Sequence, residues 1–299
     1  MRIFAFWDSG RERAPPTVQR CLDLWERLNP QHSLRLLDLP AARVELAAYP
    51  EWIFDLPIQT LSDILRVHLL ARSGGLWVDA TVLPSAPLDD WLPPLLQPAG
   101  FFAFSRPAPH RRFENWLMAA DADTVLIRRL HAEVERYWDR PRQLSDATRF
   151  FVRQPALRRR MEDALTRPGL ARWNRRYFRD PFWALGPQGR RSRYYPYFWF
   201  QLLTQYLEDH DDVSRAEMAN VPFWPVSIPV LIQTTRRSRG ITDAEMAKAV
   251  AWFFAASPVH KLDWRFEWPA CLFAHDANSG IAGGVHPRPA RWPPEALVV

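Results

Sequence analysis

Asp63 and Arg66 stand three residues apart, a Gly74-Gly75 pair follows, and a lone carboxylate, Asp79, comes just after it, with Thr81 two residues on. On a helix the first two are neighbours on one face. A carboxylate can grip sugar hydroxyls, and a guanidinium beside it can meet a phosphate. Taken in isolation, an exposed pair at this spacing contributes only ~0.2–0.5 kcal/mol to folding. Asp79 interrupts the apolar alternation of Leu76, Val78, Ala80 and Val82. A carboxylate inside an apolar strand is costly unless it is paired, hydrogen-bonded or bound to a cation. It is therefore either a satisfied structural carboxylate or the holder of a hard cation against a diphosphate. Thr81 either binds the water of such a cation or packs as an ordinary strand threonine.

The flanking sequence says what must position these groups. Ile58, Leu61, Leu65 and Leu69 recur at helical spacing, which predicts a helix from Ile58 to Leu70 that Gly74 terminates. The alternation from Leu76 to Leu83 predicts a strand with Asp79 and Thr81 on one side. Upstream, residues 2–7 read as a first strand and Asp8-Ser9-Gly10 as its turn. Pro15-Pro16 opens a helix through Val18, Leu22, Trp25 and Leu28 that Asn29-Pro30 stops. Residues 34–37 form a short strand, residues 40–49 a helix, and residues 99–104 another buried strand. Strands alternating with helices indicate an α/β sheet, mostly parallel. Ligands of such sheets gather beyond the carboxyl ends of the strands, where Asp8 and Asp79 fall.

The run Ser62-Asp63-Ile64-Leu65-Arg66 with Gly74-Gly75-Leu76-Trp77-Val78-Asp79-Ala80-Thr81 resembles the donor-binding signature of bacterial capsular polysaccharide synthesis proteins. These are sugar transferases related to a larger group with a Gly-Gly-x-Tyr-x-Asp-x-Asp signature. The resemblance extends upstream over Ile3 to Gly10, Pro15-Pro16 and Asn29-Pro30. It returns at Asn115-Trp116, at Tyr197-Phe198-Trp199-Phe200 and at His260-Lys261-Leu262, and is continuous over residues 2–88. It implies a GT-A-like, Rossmann-type, mostly parallel sheet with helices on both faces and a helical acceptor-side insertion. It further implies a retaining transferase that moves a hexose from a nucleotide diphosphate sugar, UDP-linked, to a saccharide acceptor.

Residue by residue, the resemblance assigns Asp63 and Arg66 to the donor sugar and phosphate, with Gly74 and Gly75 in the same donor signature. It assigns Asp79 to a divalent metal, Mn2+ or Mg2+, and Lys261 to the leaving diphosphate. Thr81 stands where the larger group has its second aspartate, so Thr81 and His260 are the further candidates for the metal, with His275 competing for the histidine's part. Phe6 or Trp7 is a candidate to stack on the base, since a nucleobase needs a flat apolar surface. Asp8 either accepts from base or ribose or only makes the turn. A rival reading from another class is a non-catalytic nucleotide-sugar or polysaccharide-binding protein on the same fold, for which the Thr81 departure leaves room.

Composition sets the outer bounds. With 299 residues the chain can bury a sizeable core. A single domain is expected over residues 1–275, with a nucleotide-sugar half at 1–105, a mostly helical acceptor-side region at 106–240 and a closing segment at 241–275. Residues 276–299 read as a Pro/Gly-rich tail. No run approaches the length of a membrane span, and the first residues read as a strand rather than a secretory signal. Cys21 and Cys271 are too few for a disulfide scaffold, and Cys21 shares a helical face with Trp25, as a buried thiol would. A cytoplasmic protein is expected, with peripheral contact at the inner face of the cell membrane. The net charge is +6, yet only Lys248 and Lys261 among the 39 basic residues are lysines. That balance favours anionic partners: the nucleotide-sugar donor and a saccharide or lipid-linked acceptor. The Arg/Trp/Tyr-rich stretch 172–200 reads as an acceptor groove, a membrane-surface patch or an oligomer interface; it also suits single-stranded nucleic acid, but no nucleic-acid motif accompanies it, and no such partner is expected.

Overall fold

A computed structural model describes residues 1–108, 111–144 and 191–274. The chain begins with strand β1 (Arg2–Phe6), helix α1 (Pro16–Leu28), β2 (Ser33–Leu37), α2 (Leu39–Glu45) and α3 (Ile58–Ser73). Next come β3 (Gly75–Val78), β4 (Val82–Pro84), the short α4 (Pro93–Leu96), β5 (Phe101–Ala108), β6 (Arg111–Ala120) and α5 (Val125–Tyr137). After β7 (Gln143–Leu144) and β8 (Tyr194–Tyr195), the chain forms α6 (Trp199–His210), α7 (Asp212–Ala219) and β9 (Trp224–Pro225). It then runs through α8 (Leu231–Arg239), α9 (Asp243–Ala256) and β10 (Val259–Lys261).

The central sheet has the order β2-β1-β3-β6-β5-β9. It is mixed. β1 lies parallel to β2 and β3, and β5 parallel to β9, while β6 runs antiparallel to both β3 and β5. The stretch after residue 105, expected to be mostly helical, thus places β6 in the middle of the sheet. Its hairpin with β5 is invisible to local periodicity, because β6 mixes charged and aromatic residues.

The strand pleat sorts side chains onto two faces. Phe4, Phe6, Trp77 and Met118 pack with α3, α5 and α6 on one side. Ile3, Ala5, Leu76, Val78, Phe102 and Phe104 pack with Val18, Leu22 and Trp25 of α1 on the other. A third cluster joins the outer face of α1, including the wholly buried thiol Cys21, to Phe253 and Phe254 of α9 and to Leu262. Pro16 starts α1, and Asn29 ends it by donating from its amide to the Trp25 carbonyl at 3.0 Å and accepting from the Leu88 amide.

One predicted element is divided. The strand expected from Leu76 to Leu83 stops at Val78. Asp79 opens a turn, closed by the Val82 amide on the Asp79 carbonyl at 2.9 Å. The chain then leaves the central sheet, and β4 pairs antiparallel with β10 as a separate two-stranded unit. Lys261 faces Val82 in that register.

Candidate active site

A cleft of about 750 Å³ opens beyond the carboxyl ends of β1 and β3, where open α/β sheets collect ligands. Its size suits a small-molecule ligand. Phe6, Trp7 and Asp8 reach it from the end of β1, Asp63 and Arg66 from α3, Asp79 and Thr81 from the turn, and Lys261 from β10. Eight predicted residues, as much as 255 positions apart in sequence, line one space.

Arg66 is the hub. Its side chain is only 4 % exposed. Nε donates to the Ser62 carbonyl at 3.2 Å and Nη2 to Ser62 Oγ at 2.9 Å, while Nη1 donates to the Asn115 carbonyl. Nη2 also lies 3.0 Å from Asp63 Oδ1 and 3.4 Å from Asp79 Oδ1. The guanidinium sits over the Trp77 ring at 5.1 Å. Three hydrogen bonds to Ser62 and Asn115 thus fix the guanidinium, and Nη2 faces both carboxylates. The exposed pair expected from spacing alone is in fact buried, and Arg66 holds two carboxylates in place at the wall of the cleft.

Asp63 receives a further hydrogen bond from Asn115 Nδ2 at 2.8 Å, and Gln201 Nε2 donates in turn to Asn115 Oδ1 at 3.3 Å. Burial pushes the Asp63 carboxyl up to about 7; Arg66 opposes that shift and the Asp79 charge adds to it. Asp79 goes the other way. Burial acts to raise it, but Lys261 and Arg66 outweigh burial and hold it below the usual carboxylate range. Two carboxylates on one guanidinium are thus pushed apart, one toward the neutral form and one firmly ionised, a pattern that marks working sites.

Lys261 Nζ lies 3.1 Å from Asp79 Oδ2 and donates to Thr81 Oγ1 at 2.5 Å. The pairing of β4 with β10 puts it there, with the Leu262 amide on the Thr81 carbonyl at 3.0 Å. His260 points away. Strand alternation turns neighbours to opposite faces, and its wholly buried ring packs 5.5 Å from that of Phe254. His275 lies outside the described residues.

Gly74 and Gly75 do not line the cleft. They sit at the opposite, amino end of β3, where both have positive φ and the backbone passes close by. A Cβ on Gly75 would lie 2.5 Å from the Arg2 carbonyl oxygen, and one on Gly74 2.7 Å from the Ala122 amide nitrogen. Their role is to let α3 end and β3 enter the sheet against β1 and β6.

The divalent metal implied by the resemblance does not fit the donors present. Each Asp79 oxygen faces a cation, Thr81 accepts from Lys261, and His260 is turned into the core. Among the described residues no group of three or more His, Cys, Asp or Glu side chains is arranged to hold a metal.

Sequence reasoning missed Gln201, Arg13 and Trp264, which also line the cleft. Trp264 is 44 % exposed, and its ring meets that of Trp7 edge-on at 6.0 Å. A large exposed aromatic ring at a cleft mouth is a signal that only the assembled fold reveals. No described helix is long and apolar enough to cross a membrane.

Comparison with known proteins bears on this site. The O-glycosyltransferase braB of Annulohypoxylon truncatum is 34% identical over 92 residues, 26% of this chain and only 22% of that protein. A solved structure, PaToxG Glycosyltransferase, is 16% identical and aligns over 46% of this chain and 60% of its own, with a TM-score of 0.35. Residues 1–156, more than half of the chain and carrying every cleft residue from Phe6 to Asn115, match the family model described as capsular polysaccharide synthesis protein. The chain belongs to the capsular polysaccharide synthesis protein family.

Proposed function

We propose that this chain is a glycosyltransferase that moves a hexose from a UDP-linked donor to a saccharide hydroxyl during assembly of capsular or other surface polysaccharide. One observation carries the reading. Two carboxylates, Asp63 and Asp79, are fixed on a single buried guanidinium beside a lysine, in a cleft at the carboxyl ends of the strands, where open α/β sheets collect ligands. Family membership supports it, as does the match to a relative named as an O-glycosyltransferase.

In this reading Trp7 and Trp264 offer flat apolar surface to the base. Asp63 accepts from the sugar hydroxyls, held in position by Asn115 and Arg66. Lys261 faces the diphosphate. The acceptor oxygen bonds to the anomeric carbon from the leaving-group side as the bond from that carbon to the phosphate oxygen breaks. The electron pair departs with the diphosphate, which takes up the acceptor's proton, and anomeric configuration is retained. Catalysis is mainly electrostatic: a cation already in place stabilises charge that grows on the leaving group. The acceptor is a free or lipid-linked saccharide, and the basic balance of the chain suits the anionic inner face of a membrane.

Calorimetric titration with UDP and with a panel of UDP-hexoses tests the reading. One UDP-hexose is expected to bind the wild type more tightly than UDP does, and Asp63→Ala should erase that difference while UDP still binds. Equal affinity for UDP and every UDP-hexose in the wild type would overturn the sugar-binding role.

A further inference from the structure

An ammonium already fills the place that a divalent cation would take between Asp79 and the cleft. Lys261 Nζ is in contact with both Asp79 Oδ2 and Thr81 Oγ1, the two groups at the positions that hold metal in the wider signature. We propose that Lys261 stands in for a divalent metal and that this chain binds its diphosphate without one. This inference rests on the donor reading above.

Several observations converge. The backbone of Lys261, which sets where its ammonium can reach, is held on both sides. It pairs with β4 at Val82, and its amide donates to the Pro229 carbonyl at 2.8 Å. A divalent ion on Asp79 would then lie beside this ammonium and beside the Arg66 guanidinium, and both would repel it. Thr81 supplies no second negative charge to offset that repulsion. The ammonium can meet the diphosphate without a metal. An ammonium has three N–H donors; Asp79 and Thr81 occupy two, and the third is available to a phosphate oxygen in the cleft. Arg66 is less suited to this part, since its side chain is only 4 % exposed and is already held by Ser62, Asn115, Asp63 and Asp79.

The test measures UDP affinity for the whole chain in chelator and in excess Mn2+, and in parallel the electron paramagnetic resonance signal of Mn2+ mixed with protein, with and without UDP. A metal that bridges protein and diphosphate would tighten UDP by a coupling factor of about 5–150, and linkage requires UDP to tighten Mn2+ equally. The expected result is UDP binding that is the same in chelator and in Mn2+, and a Mn2+ signal no different from that of Mn2+ with UDP alone. Lys261→Ala should bind UDP weakly in chelator and recover part of that loss in Mn2+, since Asp79 is then open to a metal. Wild-type UDP binding that needs Mn2+ would overturn the metal-free inference and leave the donor reading standing. No UDP binding under either condition would overturn both.

Discussion

Lys261 Nζ and Asp79 Oδ2 lie 3.1 Å apart, joining the far end of the described chain to the carboxyl end of β3. The contact depends on β10 pairing with β4 after the chain has turned out of the central sheet at Asp79. Negative charge on a leaving diphosphate grows from the bound donor toward the transition state, so an ammonium here acts more strongly there than in the ground state. Lys261→Ala should therefore lower single-turnover sugar transfer by more than it weakens donor binding. Lys261→Arg should restore only part of the rate, because a planar guanidinium does not replace a compact point charge. Rapid-quench measurement of both variants checks this; an unchanged rate constant in Lys261→Ala would remove β10 from the chemistry.

Arg66→Ala should behave as a stability variant as much as an activity variant. Removing a buried guanidinium leaves Asp63 and Asp79 facing one another, and breaking a buried ion pair typically costs about 3–5 kcal/mol. Urea denaturation should show a loss of that order, far beyond the effect of an exposed helical pair. A loss within a few tenths of a kcal/mol would mean that the guanidinium is not the hub.

Asp63 gives the fold a distinctive pH response. An unfolded aspartate releases its proton near 3.8, whereas burial holds the folded Asp63 proton up to about 7. Between those values the folded state binds more protons than the unfolded chain, so stability from this group is lost as pH rises from about 4 to about 7. Asp63→Asn lacks the titration. Its stability relative to the wild type should climb across that window, by on the order of 4 kcal/mol at most, and level off above it. Denaturation curves for both proteins across the window decide the matter, and a constant difference would contradict the burial of Asp63.

The site was legible in sequence only where local spacing carried it. The helix holding Asp63 and Arg66, its glycine stop and the apolar strand before Asp79 follow from periodicity, and the structure forms all three. The break at Asp79 does not, because a turn and a strand share the same apolar residues and only the partner strand β10 distinguishes them. The sheet is mostly parallel, as the alternation of strands and helices implies; only the reversed β6 was hidden, since it takes its place through pairings with β3 and β5 made far along the chain. The glycine pair was read as part of the donor signature, yet the close approach of Arg2 and Ala122 shows a backbone requirement. His260 is the instructive case. No periodicity marks residues 259–261 as a strand; once β10 forms, its pleat turns His260 to the face opposite Lys261.

Trp264 should contribute to nucleotide binding without supporting the fold. Its ring is 44 % exposed, and stacking of a base on an aromatic side chain is worth about 1–3 kcal/mol. Trp264→Ala should therefore weaken UDP by roughly 5- to 150-fold while leaving inorganic diphosphate binding and the melting temperature nearly unchanged. Equal weakening of UDP and diphosphate would place Trp264 away from the base.

Nucleoside diphosphate release from a panel of nucleotide sugars, followed in the absence of any acceptor, tests the transferase assignment most directly. Slow hydrolysis of at least one UDP-hexose by the wild type is expected, because water can take the acceptor's place, and it should fall sharply in Asp63→Ala and in Lys261→Ala. Tight donor binding with no release of UDP, with saccharide acceptors as well as without them, would contradict the assignment and identify the chain as a binding protein that does not turn over.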